Sequence, residues 1–167
     1  MVLLATAALG FMGCPSPVST YTGTVKVKIF NNADVPLTVS SITEYEVFDG
    51  YIMGSYGQEN TISVNGNKEF EISCSSSSNY YNYNAGKTKI NCLCTSGSSV
   101  VYPYAGYING TSVTIYTYTS NGTRKKTNDY QFSHSNLDLR FSNPDTITVI
   151  YNFVKTTDGD YVLCKVE

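Results

Sequence analysis

At 167 residues, with 11 basic against 13 acidic side chains and a formal net charge of −2, the chain lacks the basic excess of a nucleic-acid binder. Hydrophobic residues make up 41% and aromatic ones 13%, too much core-forming material for a disordered chain. The length suits one domain with a sizeable core, and no apolar run reaches the roughly 20 residues of a membrane-spanning helix.

The chain opens on MVLLATAALGFMGC, an uncharged run ending in Met12-Gly13-Cys14, and PSPVST follows at once. This arrangement resembles the end of a bacterial lipoprotein signal, in the loose form known from spirochaetes. Gly13 supplies the small residue before the Cys, while Phe11 and Met12 replace the more usual Leu and Ala or Ser. The resemblance implies removal of residues 1–13, lipidation of Cys14, a tether over 14–22 built around Pro15, Ser16, Pro17 and Ser19, and a domain over 23–167. Signals of this kind open with a basic segment, so it also implies a start upstream of Met1. The absence of Asp after the Cys resembles lipoproteins sent to the outer membrane. Two other readings compete. Ordinary secretion fits a cut after Gly10, with Ala8 as the second small residue, and residues 1–13 could instead be a buried element. The lipoprotein reading is preferred.

After the tether, Val25, Val27 and Ile29 alternate with Lys26 and Lys28, which predicts a half-buried strand. NNADVP breaks it, and a second strand follows with Leu37, Val39, then Ile42 and Val47 after a bulge or bend. The stretch VKVKIFNNADVPLTVSSI is similar to the first hairpin of aegerolysins, small β-sandwich proteins whose members bind membrane lipid. That likeness covers one hairpin and assigns no function. Gly-rich DGYIMGSYGQEN reads as a loop. Asn65-Gly66 predicts a tight hairpin, matching Ile62 and Val64 with Phe70 and Ile72. A polar loop SSSSNYYNYNAG leads to a strand over 88–94 and another over 100–104. Asn121-Gly122 predicts a second hairpin and Asp158-Gly159 a third. The run Ile147–Val154 is apolar or β-branched on both faces and predicts a central strand covered on both sides. No segment has helical period. Nine or ten short strands predict an all-β, antiparallel two-layer β-sandwich, immunoglobulin-like in the broad sense, with a β-barrel as the alternative.

With Cys14 assigned to lipid, Cys74, Cys92, Cys94 and Cys164 form an even set in a compartment that permits disulfides. Cys92 and Cys94 share a strand face about 6.5 Å apart, too constrained for a direct bond. The expected pattern is one bridge from Cys74 to that pair and a second from the pair to Cys164. Reduced buried thiols are the alternative. A zinc site lacks the usual spacing, and His134 is the single His.

Catalytic residues are not expected. His134, read as lying in a surface loop, has no obvious nucleophile partner. Glu44/Glu46 and Glu69/Glu71 are spaced to share strand faces and read as solvated carboxylates. Asp158 and Asp160 flank a turn Gly, with the rest of a calcium loop missing, so no metal or cofactor is expected. Arg124, Lys125 and Lys126 read as a solvated hairpin shoulder. Asn109-Gly-Thr and Asn121-Gly-Thr match glycosylation sequons, but turns already explain both.

Fifteen Tyr with no Trp is the marked excess. Tyr80, Tyr81 and Tyr83 in the polar loop, Tyr102, Tyr104 and Tyr107 around Pro103, and Tyr116 and Tyr118 on one strand face could form a recognition surface for glycan or protein. Good strand formers in a low-charge domain explain them equally well. The expected protein is therefore a membrane-anchored surface lipoprotein of the bacterial envelope with a binding, adhesion or structural role. A secreted glycan- or lipid-directed enzyme or lytic effector is the alternative, and a subunit of a larger assembly is a third.

Overall fold

The structure, a computed structural model, describes residues 21–46, 52–76, 86–116, 129–134 and 146–166. Twelve strands run through them: β1 (Tyr21–Asn31), β2 (Leu37–Glu46), β3 (Ile52–Tyr56), β4 (Asn60–Ile62), β5 (Asn67–Ser76), β6 (Gly86–Ser96), β7 (Ser99–Val101), β8 (Tyr104–Asn109), β9 (Ser112–Ile115), β10 (Asp129–His134), β11 (Thr146–Lys155) and β12 (Tyr161–Val166). Among the described residues there is no helix. One sheet runs β5-β1-β11-β12-β8-β9 and the other β10-β6-β2-β3, with β4 on β2 and β7 on β6. The fold is a two-layer β-sandwich. Neither sheet closes on itself as a barrel does.

Antiparallel pairing dominates, but β1 lies parallel to β11 and β12 parallel to β8. The alternation in β1 does what its sequence demands: Val25, Val27 and Ile29 are buried while the lysines between them are half-exposed. They meet Phe70 and Ile72 of β5, Val149, Tyr151 and Phe153 of β11 and Leu163 of β12 in one core, closed from the other sheet by Leu37, Val39, Ile42, Ile90, Cys92 and Phe132. On the outer face of β11, Ile150 is 38% exposed and Thr148 is exposed. The expectation of cover on both sides of this strand is thus corrected, because no second layer of the described residues lies over its middle.

The turn signals within the described residues hold while two strand partnerships do not. Asn65 adopts φ 59° and the Gly66 amide donates to the Ser63 carbonyl at 2.9 Å, so the turn exists. Its flanks belong to different sheets, β4 against β2 and β5 against β1, so the predicted Ile62/Val64–Phe70/Ile72 hairpin is replaced by a crossover. Likewise β1 and β2 lie in different sheets and form no hairpin. By contrast, Asp158-Gly159 joins paired strands β11 and β12, with Gly159 at φ 86°. Pro103 marks another crossover, between β7 and β8. Asn121-Gly122, Arg124, Lys125 and Lys126 lie outside the described residues.

The Gly-rich stretch read as a loop contains β3, paired with β2. Its glycine serves contact: a Cβ on Gly54 would stand 2.3 Å from the Ser73 carbonyl oxygen of β5, where the edges of the two sheets meet. Gly54→Ala should therefore lower stability by about 1–3 kcal/mol, measured by urea unfolding; an unchanged midpoint would exclude this close contact. His134 ends β10 and does not lie in a loop.

Asn31 locks the end of β1. Its side chain is fully buried; Nδ2 donates to the Val35 carbonyl at 2.9 Å and to the Ile62 carbonyl at 3.0 Å, while Oδ1 accepts from the Ala33 amide at 3.0 Å. Its backbone amide also donates to Gly66. One amide thus joins the β1–β2 turn to β4, and its backbone joins both to the Asn65-Gly66 turn.

Candidate functional site

Two polar features stand out against this frame, one open and one closed. The open one is a groove of about 480 Å³ lined by Thr111, Val113, Thr114 and Ile115 on one side and by Lys155–Asp158 and Asp160 on the other. The second wall is the β11–β12 turn. There the Asp160 amide donates to Thr156 Oγ1 at 3.1 Å and the Thr156 amide to the Asp160 carbonyl at 2.8 Å. The Lys155 ammonium is held 2.7 Å from Asp34 Oδ2 and lies 5.3 Å from the centroid of the Tyr161 ring. The Tyr161 hydroxyl donates to Asp34 Oδ1 at 2.9 Å. Hydrogen bonding to Lys155, then to Tyr161, lowers the Asp34 carboxyl, and the same contact with Asp34 raises Lys155. Threonine hydroxyls, two carboxylates and a fixed ammonium over the aliphatic Val113 and Ile115 suit a hydroxyl- or amide-rich ligand. Asp158 and Asp160 sit on one turn, and the facing wall carries no carboxylate.

The closed feature is Glu44. Solvated-face reasoning puts it in water; the structure buries it completely. The cause is a register irregularity between Val39 and Ser41, which shifts the inward phase of β2 so that Ile42 and Glu44 follow Leu37 and Val39 into the core. Across the strand pair it faces Thr88, also fully buried. Thr88 shares a hydrogen bond with the Tyr151 hydroxyl from the opposite sheet, and Phe132 closes over Tyr151 edge-on with ring centroids 4.7 Å apart. Thr88 slightly favours the ionised form of Glu44, but neither carboxyl oxygen makes a hydrogen bond of acceptable geometry. Burial dominates and pushes the carboxyl up to about 8. Glu69 and Glu71, in contrast, do face water, where both pair with Lys26 at 3.2 and 2.8 Å. Glu46 contributes no described side chain.

Cys74, Cys92, Cys94 and Cys164 are buried and form no disulfide with one another, which corrects the expectation of two bridges. Cys92 and Cys94 do share the inner face of β6, opposite Val39 and Leu37. Cys74 stands near Glu44, which faces Thr88, whereas Cys92 lies four residues farther along β6, about 13 Å from Thr88. Cys164 alternates with the core residue Leu163 and so points off the opposite face of its sheet. Burial raises Cys74 and Cys164 to about 12 and Cys92 higher still, leaving inert thiols. Cys94 Sγ donates to the Val101 carbonyl at 3.3 Å.

Of the tyrosines, Tyr102 is exposed and Tyr104 and Tyr107 are half-buried. Tyr116 turns inward against the core, with its ring centroid 5.8 Å from Tyr107 and 6.3 Å from Phe132. It is a packing residue and not an outward-facing ring. Cys14, Tyr80, Tyr81, Tyr83 and Tyr118 lie outside the described residues. The groove was missed because its walls, β9 and the 156–160 turn, are separated by forty residues of sequence. No protein-family model, no curated protein and no solved structure matches this chain.

Proposed function

We propose that this chain is a surface lipoprotein of the bacterial envelope, anchored through Cys14, whose sandwich binds a glycan or protein partner without catalysing a reaction. The observation that carries this reading is the polarity of the sandwich. β1 starts beside the Thr146 end of β11. The groove's turn lies at the other end of that ten-residue strand, about 30 Å away. The start of β1 and the groove thus lie at opposite ends of one sheet, an arrangement compatible with an anchor at one end and a binding site at the other. The lining supports binding over hydrolysis, because its two carboxylates share one wall and cannot flank a bond.

Metabolic labelling with a radioactive fatty acid, in cells making the protein from its own gene, tests the anchor. We expect label in the wild type and at least a tenfold loss in Cys14→Ser. Equal labelling of the two would overturn the lipoprotein reading.

A further inference from the structure

We propose that Glu44 is a proton-operated latch between the two sheets: as a neutral acid it lets β2 close on the core, and on ionising it forces that part of the sandwich open. The inference is independent of the anchor and of the groove.

Three observations carry it. Both Glu44 oxygens are buried and neither is held in a hydrogen bond, so a charge there would have only the weak help of the nearby Thr88 hydroxyl against the cost of burial. The residue sits on β2, which lies between β6 on one side and β3 and β4 on the other. An ionised Glu44 therefore strains the centre of the sheet and not an edge. Finally, register irregularities frame it, one between Val39 and Ser41 and one between Glu44 and Tyr45. Strands bend in this way where a side chain is aimed to a particular place.

The groups around Glu44 offer no countercharge. The Tyr151 hydroxyl approaches from β11 and the Cys74 thiol from β5, and burial suppresses the ionisation of both. Lys87 and Lys89 flank Thr88 on β6 and so point to the opposite face. Among the described residues, no cation faces the carboxyl.

The folded state holds a proton that the unfolded chain releases near the ordinary carboxyl value of 4.5, and it keeps that proton until about 8. Between those limits each pH unit multiplies the opening equilibrium about tenfold. Below them stability is full; above them no further loss accrues. Hydrogen exchange on the full chain, corrected for intrinsic rates, reads this directly. From pH 6 to pH 8 the opening equilibrium of segments 42–45 and 87–90 should rise roughly fiftyfold in wild type and stay flat in Glu44→Gln. A wild-type rise below about threefold, or an equal rise in the variant, overturns the latch. Should Glu44→Gln fail to fold, Glu44→Met takes its place as the flat control. Infrared spectroscopy of the wild type needs no variant: a protonated carboxylic acid band must be present at pH 6 and vanish by pH 9. Its absence at pH 6 overturns the proposal.

Discussion

Asn31→Asp should lower stability by about 3–5 kcal/mol at neutral pH, although it changes one amide to a carboxylate. The asparagine is fully buried and its Nδ2 satisfies two carbonyls, Val35 and Ile62. Aspartate replaces that donor with an oxygen that repels both. Each abandoned carbonyl contributes roughly 1–3 kcal/mol of desolvation, and the new charge has no partner to offset its own. The Ala33 amide still finds an acceptor, so the damage is confined to the donor side. Asn31→Ala leaves the same carbonyls unpaired but adds no charge, so it should be less damaging. Urea unfolding at pH 7 and pH 5 separates the two: the aspartate variant should recover partly in acid and the alanine variant should not. A loss below about 1 kcal/mol in both would show that water replaces the amide.

Stability should also fall as pH rises from 5 to 8, the reverse of a protein held together by carboxylate ion pairs. The sign follows from Glu44, whose folded-state value near 8 lies above its unfolded value of 4.5. Each unit of that gap corresponds to about 1.4 kcal/mol, so the whole window amounts to at most about 5 kcal/mol. Glu44→Leu removes both the proton dependence and the unpartnered oxygens from a fully buried site. It should stabilise the fold by roughly 2 kcal/mol at pH 5 and by more at pH 8. Urea midpoints across this range check both statements. A leucine variant that is less stable than wild type at pH 8 would show that the carboxyl has a partner.

The sequence made the layers legible because alternation is local. Val25, Val27 and Ile29 declare their face without reference to any other strand, and Asp158-Gly159 declares a hairpin whose partners adjoin it. Asn65-Gly66 is equally plain as a turn, yet a turn fixes only the reversal of the chain. Which sheet receives β4 and β5 depends on β2 and β1, which compete for their edges. Glu44 was nearer to hand. Ile42 already signals the shift of phase after Val39, and two residues on from Ile42 is Glu44, so the same bulge that explains a buried isoleucine also buries the acid. Gly54 misleads for another reason, since the glycine that reads as loop is there to let two backbones touch. The cysteines announced their strand face correctly but not their neighbours, because spacing along a strand says nothing about depth across a core.

The pairing of β1 with β11 sets a timetable for the molecule. Thr24 lies beside Thr146 and Asn31 beside Phe153, so the middle of one sheet joins the first described strand to the penultimate one. A ribosome-bound chain that has emerged only as far as β10 has no partner for one edge of β1 and cannot complete the core. Such distant pairing slows folding, because a long loop must close before any contact rewards it. The core therefore closes only after nearly all of the chain has been delivered.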